Sequence, residues 1–208
     1  MPLPTVEQAE AYFDQYNVPE NIRRHCLRVK TVAVFLAQQL EAKRVPIDVE
    51  FVDRLARFHD LFKMVSIKEF GAGHHKDARL TEKQQQFWTE FRARYQGLYE
   101  GEVAYIIFKD QFPELALALK RVSNPHEDNL TWEELIVHYA DWRVLQEKVV
   151  LVQERLQYLQ QMYTRKQGTW EEYAQKVLGQ ERTIFANISF PPEKLAEMIT
   201  NSEVHNHD

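Results

Sequence analysis

Cysteine is almost missing from the chain: Cys26 is the only one in 208 residues. That excludes an intrachain disulfide and any CxxC metal or redox pair, so a metal would have to be held by His, Asp or Glu. Six glycines and eight prolines are few for a fold rich in tight turns. Leu, Ala, Glu, Gln, Lys and Arg, the good helix formers, fill long stretches instead, and the expectation is an all-α protein. No apolar run approaches the roughly 18 residues that span a bilayer. The opening MPLPTVEQAE has neither the positive start nor the apolar centre of a signal peptide, which predicts a cytoplasmic location. With 26 basic and 31 acidic residues interspersed and a net charge of -5, there is no basic field of the kind that duplex nucleic acid requires. The length suits a single well-buried domain, expected over residues 1–208.

What is present is helical periodicity. Val6, Ala9, Phe13 and Tyr16 mark a helix over about 5–16, ended by Asn17 and Pro19. Over about 20–43, Ile22, Cys26, Val29, Ala33, Leu36 and Leu40 recur at spacings of three and four and define one buried face. Cys26 is a small core residue on that face; His25, its neighbour, diverges from it by about 100°. Asp48 can cap a third helix, in which Val52, Leu55, Ala56 and His59 share a face. From Ser66 to Leu80 the pattern stops, and the segment reads as a polar loop in which His74 and His75 are solvated. Further helices are predicted over about 81–95, 98–111 and 113–122, and TWEE with Thr131 and Glu134 is a capping box. It opens the longest pattern, about 132–164, whose length would let its second half pack against the C-terminal helices or a second subunit in a homodimer. Short helices follow over about 170–179 and 192–200, around a β-like TIFANISF.

The stretch RFHDLFK, residues 57–63, sets an imidazole beside a carboxylate at the edge of a buried face. An aspartate there is costly to bury unless a cation pairs with it. Asp141, in HYADWRV, flanks the stripe of its own helix in the same way. His25, His59, Asp60 and Asp141 thus make a mixed nitrogen and oxygen set suited to Mn, Fe, Co, Ni, Zn or Mg. The competing expectation is that Asp60 and Asp141 pair with Arg57, Arg28 or Arg143 at the surface.

These segments resemble the HD-domain superfamily of metal-dependent phosphohydrolases, whose signature is a His, then an adjacent His-Asp, then a distant Asp. RRHCLRVKTVAVFLA resembles the helix bearing the first His, here His25; RFHDLFK resembles the HD motif, with Lys63 three residues after its Asp; IVHYADWRV resembles the segment bearing the last Asp, here Asp141. The resemblance covers about residues 18–150, leaving about 151–208 as a helical extension, and implies a helical bundle with the metal between its helices. Relatives holding two or three metals add histidines between the HD motif and the last Asp. Here Tyr99 and Ser123 or Asn124 stand at those places, and His126 lies beyond a proline, which implies a mononuclear site.

The resemblance implies hydrolysis of a small phosphoester, a nucleotide among the candidates, with one divalent ion on His25, His59, Asp60 and Asp141 activating water. Asp60 and Lys63 are the catalytic candidates, Lys63 by stabilising charge on the phosphoryl oxygens. Arg24, Arg28 and His138 are the substrate-binding candidates, His138 alternatively as a packing residue. A binding or regulatory module of the same fold with little turnover, and a helical scaffold without metal, are the competing expectations.

Overall fold

Capping residues and apolar spacing place the helices almost where the periodicity puts them. The computed structural model describes residues 2–67, 80–163 and 168–205; His74 and His75 lie outside them. Thr5 and Gln8 cap α1, Val6–Gln15, which stops at Asn17 in the left-handed region. The 23-residue α2, Glu20–Ala42, buries Ile22, Cys26, Val29, Ala33, Leu36 and Leu40. It is the axis of the fold, packing against α3, Val49–Phe58, and α7, Trp132–Trp142. The Asp48 side chain accepts from the Phe51 N–H to cap α3. A 3-10 turn follows, Lys63–Val65, then α4, Glu82–Arg94, α5, Glu100–Phe108, and α6, Pro113–Val122. At Gly101 an added Cβ would sit 2.7 Å from Ser123 Cβ and 2.9 Å from the Leu119 carbonyl, so glycine is what lets α5 lie against α6. Among the described residues no helix is long and apolar enough to cross a membrane.

The all-α expectation holds; the single helix over 132–164 does not. After α7 the chain forms a two-residue hairpin, β1 Val144–Leu145 antiparallel to β2 Lys148–Val149, and a separate helix, α8 Val152–Met162, leads away. Gln146, first in the turn, has φ 58°, a left-handed value that two-residue hairpins need and helices forbid. The cause is tertiary. Arg143 is 1 % exposed, donating to the carbonyls of Val150 and Pro192 and to the Tyr139 hydroxyl while pairing with Glu181. Burying that guanidinium requires acceptors on several segments, and the chain returning from the hairpin supplies one at Val150. α8 then packs on α9, Trp170–Phe185, of the same chain, so the overlong helix that suggested a dimer is gone. The β-like TIFANISF is also corrected: Thr183, Ile184 and Phe185 finish α9, with Ile184 fully buried. A 3-10 turn, Pro192–Lys194, leads into α10, Leu195–His205, which outruns the expected end near 200.

Candidate metal centre

Four elements converge on one end of α2. His25 projects from α2, Asp141 from the last turn of α7, and His59 and Asp60 from the turn that follows α3, one and two residues past the helix in which they were expected. The hairpin closes the fourth side through the Gln146 carbonyl, 3.1 Å from His25 Nδ1. His59 Nδ1 lies 2.7 Å from the Ala56 carbonyl. A carbonyl oxygen only accepts, so both Nδ1 atoms carry hydrogen, and Nε2 is the ring atom left to ligate a metal, giving up to it any proton shared with the carboxylates.

Those two Nε2 atoms face the carboxylates. His25 Nε2 is 3.0 Å from Asp141 Oδ1, and His59 Nε2 is 3.8 Å from both Asp60 Oδ2 and Asp141 Oδ1. His59 Nε2 is buried and has no hydrogen-bond partner among the described residues. Ligand atoms of His25, His59 and Asp60 all lie within 4.8 Å of one another. An ion held at about 2.0–2.2 Å by each ligand requires atoms no more than about 4.4 Å apart, so sub-ångström closure would suffice. The donor set and the orphaned nitrogen therefore fit a divalent cation, with the backbone carbonyls fixing the ring tautomers as outer-shell partners do.

The electrostatics reflect the same crowding. Burial disfavours a charged His59, yet Asp60, Cys26 and Asp141 outweigh it and raise the ring to about 9. For Asp141, burial is outweighed by the His25 hydrogen bond and the charges of Arg155, His25 and His59, which hold it well below the usual carboxylate range. Asp60 is lowered too, against burial, by Lys63 and His59. Cys26 is fully buried beside His59, with burial pushing its thiol up; it is the core residue its spacing predicted.

The cations are distributed differently from expectation. Neither Asp60 nor Asp141 pairs with Arg57, Arg28 or Arg143: Arg57 bonds Asp53 and Glu10, Arg28 bonds Glu203 at 2.7 Å, and Arg143 bonds Glu181. Arg24 is half-exposed and pairs with Glu147 at 2.9 Å. Lys63 Nζ stands 3.3 Å from Asp60 Oδ1 and 3.0 Å from Glu100 Oε1. Burial opposes its charge, but Asp60 and Glu100 together hold it well above the ordinary lysine value. Both ring nitrogens of His138 are taken by α9, Nδ1 donating to Gln180 Oε1 and Nε2 accepting from the Tyr173 hydroxyl, each at 2.8 Å. It packs between helices, the alternative its position allowed.

Two residues were missed. Glu100, anchored by the Ser66 hydroxyl, is adjacent to Tyr99, where a histidine was expected, and its place at the start of α5 gave no sign of Lys63. Arg155, on α8, reaches to 3.9 Å from Asp141 Oδ1. Fourteen residues separate the two in sequence, and only the hairpin folds α8 back. No protein-family model, curated protein or solved structure matches this chain.

Proposed function

We propose that this protein is a metal-dependent phosphohydrolase of the HD type, acting on a small phosphoester through a mononuclear site of His25, His59, Asp60 and Asp141. The observation that carries the reading is the buried, partnerless His59 Nε2, facing two carboxylates and a second imidazole whose Nδ1 is likewise tied to a carbonyl. A buried ring nitrogen left without a hydrogen bond costs about 1–3 kcal/mol, and a divalent ion between it and the carboxylates would remove that cost.

A divalent ion bound there would supply Lewis acidity, making water more acidic and drawing charge from a phosphoryl oxygen. The chain's own residues prepare the site. Lys63 takes Asp60 Oδ1, leaving Oδ2 turned towards His59; it is a positioning residue, locked by Glu100. Gln146 and Ala56 orient the two imidazoles through their carbonyls. Cys26 of α2, beside His59, is fully buried, as are its neighbours in the core.

The test is metal content of the full chain by plasma mass spectrometry after reloading with Mn, Co, Ni, Zn or Mg, followed by a phosphoester screen in the metal that binds. We expect about one ion per chain, its loss in Asp60→Ala and His59→Gln, and hydrolysis that depends on it. Metal uptake without turnover would favour a regulatory module, and wild-type protein indistinguishable in metal from Asp60→Ala would sink the metal centre itself.

A further inference from the structure

Arg155 is a buried cation with almost nothing to bind. Its side chain is 9 % exposed, and its one ion partner among the described residues is Asp141, at 3.9 Å, beyond hydrogen-bond reach. The guanidinium, with five N–H groups, makes no hydrogen bond among the described residues, yet none of its nitrogens is both sealed and unpaired, as His59 Nε2 is. Its donors therefore keep access to the outside. A fully committed structural arginine looks different: Arg143, at 1 % exposure, spends its donors on two carbonyls, a hydroxyl and a carboxylate.

The other cations near the cluster are spoken for. Lys63 is shared by Asp60 and Glu100, Arg24 by Glu147 and Arg28 by Glu203. With the imidazoles neutral, as ligands to a metal must be, the cluster's carboxylates are Asp60, Asp141 and Glu100 and its cations Lys63 and Arg155. A divalent ion would bring this group to one net positive charge, and without Arg155 it would be neutral. The excess charge and the free donors lie on the same side chain.

We propose that Arg155 is the phosphoryl-binding residue of this site, its planar fork taking the anionic oxygens of a phosphate group held beside the metal ligands. The proposal deepens the hydrolase reading and rests on it. A guanidinium suits a tetrahedral oxyanion because two parallel N–H groups match two of its oxygens, which a lysine ammonium cannot do. Anchored on α8 and approached by Asp141 on one side, Arg155 binds the substrate class through its phosphate and leaves the remainder of the molecule to be read elsewhere. It takes the role that Arg24, Arg28 and Lys63 were expected to share.

The experiment is calorimetric titration of the manganese-loaded full chain with inorganic phosphate, comparing wild type, Arg155→Met, Arg155→Lys and, as a surface control, the exposed Lys109→Gln. Manganese content, circular dichroism and turnover of p-nitrophenyl phosphate are measured on the same samples. We expect Arg155→Met to weaken phosphate binding about 10- to 100-fold and to raise KM while keeping its manganese. Arg155→Lys should fall between, and Lys109→Gln should match wild type. Undiminished phosphate affinity in Arg155→Met overturns the proposal while metal-dependent turnover, if it persists, leaves the hydrolase reading intact. Loss of manganese together with phosphate also overturns it, since Arg155 would then merely hold Asp141. Phosphate binding that needs Arg155 in a protein with no turnover keeps the subsite and removes the hydrolase. If Arg155→Met fails to fold, Arg155→Lys decides alone: weaker phosphate with manganese retained supports the fork, and equality with wild type refutes it.

Discussion

At the scale of single residues, what distinguishes a candidate ligand from a packing side chain here is how its polar atoms are spent. His138 and His59 are both buried, but His138 has a partner at each nitrogen and His59 at one. Burial holds the His138 pKa below 6.5 in the folded protein, while the unfolded chain takes up its proton near about 6.5. The folded pKa is the depressed one, so the stability His138 contributes is present above 6.5 and is lost as pH falls through 6.5 towards the folded value. Urea midpoints measured at pH 7.5 and 5.5 should drop more for wild type than for His138→Gln. Equal drops would show that His138 does not titrate with unfolding. The same accounting separates Arg155 from Arg24, Arg28 and Lys63, which the resemblance alone ranked higher.

At the scale of elements, the hairpin between α7 and α8 decides the site. Gln146 holds His25 through its carbonyl and occupies the left-handed region, where a side chain costs about 1–2 kcal/mol. Glycine relieves that strain at an entropic cost of about 0.5–1 kcal/mol. Gln146→Gly is therefore expected within about 1 kcal/mol of wild type in urea unfolding, with metal affinity kept. Gln146→Val, branched at Cβ, should cost about 1–2 kcal/mol and, by shifting the carbonyl, weaken metal binding about 10- to 100-fold. Wild-type metal affinity in the valine variant would mean that His25 needs no help from the hairpin. The helical continuation expected at 132–164 failed because Leu145, Val149, Val152, Leu156 and Leu159 keep a helical spacing that a hairpin and a second helix also satisfy. The polar Arg143, not the apolar stripe, chose between them.

At the scale of the whole molecule, the site ties together segments from α2, α3, α7 and the hairpin, so occupancy should be felt as global stability. An ion at a hundred times its dissociation constant stabilises the folded state by about 2.7 kcal/mol. For a chain of this size that corresponds to a rise in Tm of about 5–10 °C. Thermal melts of the chelated protein with and without the preferred metal should show the rise in wild type and none in Asp60→Ala. An equal rise in both would locate the binding elsewhere on the chain.

The sequence by itself determined most of the helices and the four candidate ligands. Both are local: Thr5 with Gln8, Thr81 with Gln84 and Thr131 with Glu134 cap within three residues, and an apolar stripe repeats every three or four, so each ligand's place beside its own buried face was legible. Only the tertiary structure decided which cations are free. Lys63 and Glu100 are 37 residues apart, Arg24 and Glu147 are 123, and Arg28 and Glu203 are 175; no periodicity spans such distances. An ion pair forms where two chain segments are packed within a few ångströms; here a buried arginine accompanies a chain reversal at residue 146 that leaves Arg155 beside Asp141 with its donors unspent.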